Sequence, residues 1–149
     1  VILVELDYSG AFGHWYEMTC LVSFEPLAPA LQKKVDAYGD VIDLMVKSCQ
    51  PGTRVGDLAP LADERFRELG YPPAGMHLPH AHSIGLDESD GPNSGAFPDD
   101  ILEADMVLAL HPGTLFEDGT GYTMSDLFKV AAGGGVRQSR KDWLHLLAG

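Results

Sequence analysis

Three of the six histidines, His77, His80 and His82, fall within six residues of one another. Imidazole binds metal ions and moves protons near neutral pH, so a cluster of this kind is a candidate site. In an extended segment, residues two apart share a face, which points His80 and His82 the same way, as metal ligands or as a base and donor pair. The cluster by itself fits an exposed loop of solvated histidines equally well. Two acids, Asp7 and Glu17, lie on adjacent predicted strands, where facing side chains come close across the pair. In so acidic a chain they read, taken alone, as surface charge. Gly133, Gly134 and Gly135 lack the Lys and Ser/Thr of a phosphate loop and read as a hairpin turn. Ser83 and Ser94 have no nucleophile-elbow context.

The elements that must position these residues follow from periodicity. VILVELDYSG and HWYEMTCLVSF (14–24) are apolar or rich in β-branched and aromatic residues, and they read as successive strands joined at Ser9, Gly10 and Gly13. From Pro29 the period changes. Leu31, Val35, Tyr38, Val41, Ile42, Met45, Val46 and Cys49 recur at helical spacing, predicting a long amphipathic helix that QPGT (50–53) breaks. Val55, Leu58, Leu61, Ala62, Phe66 and Leu69 predict a second helix ending at Gly70, with Thr53 or Asp57 as its cap. A His-rich segment and a polar loop run on to Asp100, long enough to border a site. ADMVLALHPG (104–113) and GYTMSDLFKVAA (121–132) read as strands. Trp15 and Tyr16 are expected in the core, with the cleft lining as the alternative, and Trp143, Leu144, Leu146 and Leu147 are expected to pack the last segment onto the body or onto a missing domain or partner. The order predicts an α+β fold, with helices on one face of a curved, mainly antiparallel sheet.

Composition bounds the partners. The chain has 149 residues and a net charge of −12, which supplies no basic footprint for nucleic acid or for an anionic lipid surface. With 45% hydrophobic and 21% charged residues it is of globular type. No apolar run is long enough for a membrane span. Cys20 and Cys49 have neither metal-ligand nor disulfide-framework spacing, and a reducing, cytoplasmic location is expected. The opening on an apolar strand without Met reads as the interior of a longer protein.

Motifs in a fixed order carry a more specific signal. LDYSG with GHWYEMTCLVSF is similar to a hairpin that reads Asp, Gly, then Gly-Tyr and Asp-Ile-Thr-Arg. CQPGTRVGDLAPLADERFRELGY resembles helix, Pro-Gly-Thr, helix. AHSIGLDESDGP corresponds to Gly-His-Gly-Ile-Gly-Leu, DMVLALHPG to Met-Val-Phe-Thr-Ile-Glu-Pro-Gly, and GYTMSDLFKV to a late Glu-Asp strand. Together they resemble the later part of the pita-bread fold of the M24 peptidases: creatinase, aminopeptidase P, prolidase and methionine aminopeptidase. The resemblance runs to about Arg140 and implies one incomplete peptidase-like catalytic domain over 1–149.

In active members of that family two Asp, one His and two Glu hold two divalent ions. The resemblance keeps Asp7 as the first ligand, puts Glu17 at the second Asp after a one-residue gap, and keeps His82. His111 stands at a Glu position, and Ser125 at the position of the last, bridging Glu. Ser89 falls where many members carry a second His that contacts substrate, with Asp90 at the acid after it. Two carboxylates do not balance two divalent ions, which repel by about 19 kcal/mol at 3.5 Å and an effective dielectric near 20. The implied metal set is Asp7, Glu17, His82 and His111 with at most one ion, zinc, manganese or iron, or with none. The implied function is a divergent hydrolase acting on an amide or other C–N bond of a small polar substrate or peptide. His80, His82 and Ser89 are its candidate catalytic residues, and a homodimer through the longer chain is possible for such a protein. The alternative is a non-catalytic pseudo-peptidase that binds a peptide or small ligand in the same cleft.

Overall fold

In the computed structural model, which describes residues 1–72, 80–115, 121–139 and 144–148, the chain opens with a hairpin. Its strands are β1 (Ile2–Ser9) and β2 (Trp15–Ser23). The pair is antiparallel, with Asp7 directly opposite Glu17. The turn between them is held by the Gly10 N–H on the His14 carbonyl at 2.7 Å, with Gly13 at φ 81°. That positive φ is a conformation glycine adopts without a Cβ clash. The register is regular from Ile2 opposite Val22 to Ser9 opposite Trp15.

Helix α1 (Pro29–Ser48) starts with proline at its first turn, where no N–H is needed. It buries Val35, Tyr38, Val41, Ile42 and Met45 along one stripe. A 3₁₀ turn (Val55–Asp57) leads into α2 (Leu58–Glu68), which buries Leu58, Ala62 and Phe66. The helices lock through Tyr38 and Phe66, edge to face at 5.2 Å. Neither expected cap acts as one. The Thr53 hydroxyl donates to the Ser48 carbonyl, ending α1, and Asp57 accepts from Arg54. Because the 3₁₀ turn already feeds into α2, Asp57 has helical dihedrals and its side chain is not placed to cap.

The remaining strands are β3 (Ala81–Ser83), β4 (Val107–Leu110), β5 (Gly113–Leu115), β6 (Gly121–Thr123), β7 (Asp126–Lys129), β8 (Val136–Arg137) and β9 (His145–Leu147). They make a four-stranded sheet β3-β4-β7-β8, a two-stranded β5-β6 pair and a three-stranded sheet β1-β2-β9, in which β9 runs parallel to β2. The two long strands expected over 104–113 and 121–132 are therefore shorter and interrupted. Asp105 takes φ 68° in a turn before β4, and Met124 and Ser125 separate β6 from β7. Gly133–Gly135 lie in the β7–β8 hairpin connection, as read from the sequence.

The helices pack on one face of the sheet. Leu108, Leu110 and Phe128 join Tyr38, Ile42, Met45, Leu58 and Phe66 in one core, with Leu144 against it. Trp15 belongs to a second, smaller cluster with Ile84, Ala109 and Leu127. Tyr16 departs from expectation: it is 40% exposed and stacks on Tyr8, because it lies on the outer face of the hairpin. Leu147 is also exposed, and Trp143 lies outside the described residues. Cys20 and Cys49 are free and buried. No helix among the described residues is long and apolar enough to cross a membrane.

Candidate functional site

The site forms where β2 crosses the ends of β3, β4 and β7. Two backbone bonds clamp β2 there, from Trp15 N–H to the Gly85 carbonyl at 2.8 Å and from Thr19 N–H to the Ser125 carbonyl at 3.1 Å. Glu17 lies between them and is 3% exposed. His82, on β3, pairs with Ala109 of β4. The N–H of His111 continues that ladder to the His80 carbonyl at 2.7 Å. Side chains two apart on β4 share a face, so His111 lies on the same face as Ala109 and diagonally beside His82.

Three side chains converge as a result. Glu17 Oε1 is 2.8 Å from His111 Nε2, Glu17 Oε2 is 3.3 Å from His82 Nε2, and the two Nε2 atoms are 2.9 Å apart. The rings stack at 4.9 Å. His82 Nδ1 lies 3.1 Å from the Ser83 carbonyl, which can only accept, so Nδ1 carries a proton and Nε2 is the atom presented to the site. Oε1 is buried without a well-directed hydrogen bond, although His111 Nε2 is 2.8 Å away. Burial disfavours the Glu17 charge, but the closeness of the His111 and His82 imidazoles outweighs it and brings the carboxyl pKa down to about 2. Burial likewise opposes the His82 charge. Hydrogen bonding to Glu17 and the Ser83 carbonyl overcomes it and raises the imidazole pKa.

Asp7 stands at the edge of this group. It is exposed, and its carboxylate clusters with those of Glu5 and Glu17, all within 4.8 Å, while the tight metal-type grouping is Glu17, His82 and His111. Partial burial raises the Asp7 pKa, and repulsion from Glu17, Glu5 and Glu88 adds to it. The cleft has a volume of about 400 Å³ and is lined by Glu5, Glu17 and Glu88, by His82 and His111, and by Ser89, Asn93 and Thr123. Glu5, Glu88 and Asn93 were missed in the sequence reading. For Glu5 a signal existed, since it is two residues from Asp7 on a strand and shares its face.

The sequence model of metallopeptidase family M24 matches residues 2–139. The chain belongs to metallopeptidase family M24. An uncharacterized peptidase of Staphylococcus epidermidis is 30% identical over 91 residues, 60% of this chain and 25% of its own length. A Xaa-Pro dipeptidase of Pyrococcus furiosus is 23% identical over 116 residues, 74% of this chain and 32% of its length. In structure, dipeptidase PepE from Mycobacterium ulcerans superposes with a TM-score of 0.80 at 19% identity, covering 98% of this chain and 40% of PepE. The fold is the α+β pita-bread fold in part, and the chain spans about two fifths of that solved structure.

Against the M24 ligand pattern, the sites expected from sequence divide into three groups. Glu17, His82 and His111 meet, with Asp7 beside them. Ser125 is fully buried and turned to β2, its Oγ 2.6 Å from Thr19 Oγ1 and its N–H donating to the same atom at 2.7 Å. A hydroxyl so engaged fills the position without offering a charge. His80 is the clear departure. It lies just before β3, and its Nε2 is 3.1 Å from Asp63 on α2, so it does not share a site with His82. The strand spacing that paired them fails because the chain bends at His80. His77 lies outside the described residues. A wider open depression of about 720 Å³ runs along α2 beside Asp63, Glu64 and Arg67, where Asp63 is already engaged by His80 and Arg67.

M24 members typically bind divalent metal, and the donor set here fits one ion. Ligands about 2.0 to 2.2 Å from a shared ion lie roughly 3 Å apart, the separation seen among Glu17, His82 and His111. The Ser83 carbonyl on His82 Nδ1 is the outer partner that orients a metal-binding imidazole. A cation would also satisfy the orphaned Glu17 Oε1.

Proposed function

We propose that this chain forms the ligand-bearing part of a divergent M24 hydrolase acting on an amide or other C–N bond of a small polar substrate. It would hold at most one divalent ion, zinc, manganese or iron, on Glu17, His82 and His111, with Asp7 adjacent. The observation that carries this reading is the convergence of those three buried side chains from β2, β3 and the end of β4. Two imidazoles and one carboxylate are a donor set of hydrolytic zinc sites. When bound there, the ion would supply a Lewis acid and an activated water.

The chain's own residues supply the rest. The Ser83 carbonyl holds the His82 ring with Nε2 toward the cleft. Asn93 Nδ2 donates to Ser89 Oγ at 3.3 Å, leaving the Ser89 hydroxyl proton free to point at a substrate oxygen from the cleft wall. His80, held by Asp63, has no part in the reaction on this reading. The named relatives, peptidases and a Xaa-Pro dipeptidase, support a peptide-type C–N bond as the target. Buried free thiols at Cys20 and Cys49 support a cytoplasmic setting.

One observation favours the rival, a pseudo-peptidase that binds in the cleft without catalysis: Ser125, which the resemblance puts at the bridging-ligand position, spends its hydroxyl on Thr19. Elemental analysis of the full-length native protein, purified without added metal or His tag, separates the two. About one equivalent of transition metal, lost in His111→Ala together with hydrolysis of small amides, supports the hydrolase. Absence of metal and of hydrolysis, with retained ligand binding, supports the pseudo-peptidase.

A further inference from the structure

One uncharged side chain on the cleft wall has a direction fixed by its neighbours. The amide oxygen of Asn93 accepts the N–H groups of Gly95 and Ala96, both at 2.9 Å. Backbone N–H groups only donate, so the oxygen must face that turn and the amide nitrogen must face the other way. Nδ2 lies 3.3 Å from Ser89 Oγ, which accepts one of its two protons. Among the described residues the second proton has no acceptor.

The backbone around Asn93 is pinned as well. The Ser83 N–H donates to the Pro92 carbonyl at 2.7 Å, and the Ser94 N–H to the Ala81 carbonyl at 2.8 Å. These bonds seat Asn93 opposite His82 in an antiparallel bridge, and residues so paired send their side chains to the same face. Asn93 and Ser89 accordingly line one cavity with His82, His111 and Glu17. Farther along, the loop is strapped to the turn between the helices: the Gly56 N–H donates to the Pro98 carbonyl and the Val55 N–H to the Asp100 carbonyl, both at 2.9 Å, and Arg54 holds Asp99 at 3.0 Å. The amide nitrogen is therefore held in place before any ligand arrives.

We propose that Asn93 binds the carbonyl oxygen of the substrate through this free Nδ2 proton, with the Ser89 hydroxyl as a second donor. The proposal rests on the reading of this cleft as the substrate site, and it assigns Asn93 as the residue that orients the reacting amide against Glu17, His82 and His111. An amide nitrogen, and a hydroxyl that already accepts, have only protons to offer, so they take an acceptor. Glu5, Glu17 and Glu88 in the same cavity repel a carboxylate, whereas a neutral carbonyl oxygen meets the two donors without that cost. A donor already fixed in place needs no reorganisation as charge develops on the oxygen it holds.

The test sets butanamide against thiobutanamide, in which sulfur, a weak acceptor, replaces the oxygen while charge and chain stay the same. It is run on the full-length native protein freed of metal with EDTA, so that no ion discriminates between oxygen and sulfur. Calorimetry should find butanamide bound about fivefold tighter, the scale of one neutral hydrogen bond. In nitrogen-15 NMR the Asn93 side-chain amide protons, assigned through the Asn93 backbone, should move downfield with butanamide and hardly at all with thiobutanamide, a response that a residue holding only the turn would not give. Asn93→Asp keeps an oxygen for the Gly95 and Ala96 N–H groups and removes both amide protons. It should erase the oxygen preference while the thermal melt stays unchanged, and the wild-type NMR response decides the matter should that variant fail to fold. Equal affinity for the two amides, unmoved Asn93 protons, or an intact preference in folded Asn93→Asp overturns the proposal. If the preference depends on Asn93 in a protein that binds no metal and cleaves no amide, the hydrolase reading fails and the donor assignment stands. If the metal-loaded protein cleaves small amides equally well with Asn93→Asp, the reverse holds.

Discussion

Replacing Glu17 by Gln removes the charge that organises the site, and the consequence for stability in metal-free protein can be worked out. The Glu17 pKa drops from an ordinary 4.5 to about 2 in the fold. The native state then binds fewer protons than the unfolded chain between those values. The carboxylate's stabilisation is complete above pH 4.5 and is lost as pH falls toward 2. At about 1.36 kcal/mol per unit it amounts to about 3 kcal/mol. His82 behaves oppositely. Its pKa is raised above 6.5, so its contribution is complete below pH 6.5 and is lost as pH rises through the folded value. Stability of the metal-free protein should therefore be greatest between pH 4.5 and 6.5 and fall on both sides. Glu17→Gln should cost about 3 kcal/mol at pH 5.5, a shift of the urea midpoint on the order of 1 to 2 M. It should also flatten both limbs, because the acid limb loses its titrating carboxylate and His82 loses the Glu17 partner that raises its pKa, keeping only the Ser83 carbonyl against its burial. Urea denaturation with EDTA across pH 2.5 to 9, read by tryptophan fluorescence, measures this. A wild-type profile flat between pH 2.5 and 4.5, or a Gln variant with an unchanged acid limb, refutes the network.

Three further outcomes are expected. Zinc should stabilise the protein more at pH 8 than at pH 5.5, since the ion must displace the His82 proton; thermal melts at both pH values read the difference. Ser125→Ala should cost about 1 to 2 kcal/mol by leaving buried Thr19 Oγ1 without its partner hydroxyl, and Thr19→Val should add little to it, as a double-mutant denaturation cycle would show. Gly56→Ala should destabilise by about 1 to 3 kcal/mol, because a Cβ there would lie 2.6 Å from the Pro98 carbonyl oxygen, in a turn where the Gly56 N–H bonds that same oxygen. Its urea midpoint should fall with little change in slope.

Several features were legible in the residues before any coordinates. The apolar stripes Val35–Tyr38–Ile42–Met45 and Leu58–Ala62–Phe66 determined both helices, because burial of a 3.6-residue stripe is a local property of sequence. The alternation across 1–24 determined the hairpin. Ordered motifs determined the family and singled out Glu17, His82 and His111 as candidates. Tertiary structure alone decided what those positions do together. The 2.8 to 3.3 Å cluster depends on β2 crossing the ends of β3 and β4, a contact between residues 65 and 94 positions apart that no local pattern encodes. The same crossing turned Ser125 onto Thr19. A bend at the edge of β3 sent His80 to Asp63, undoing a pairing that spacing alone had supported. Glu5 and Glu88 read as ordinary surface acids in a chain of −12. They became one wall of a cleft only when a strand and a distant loop were brought against the same space, since the energy of close like charges depends on distance in the fold and not on separation along the chain.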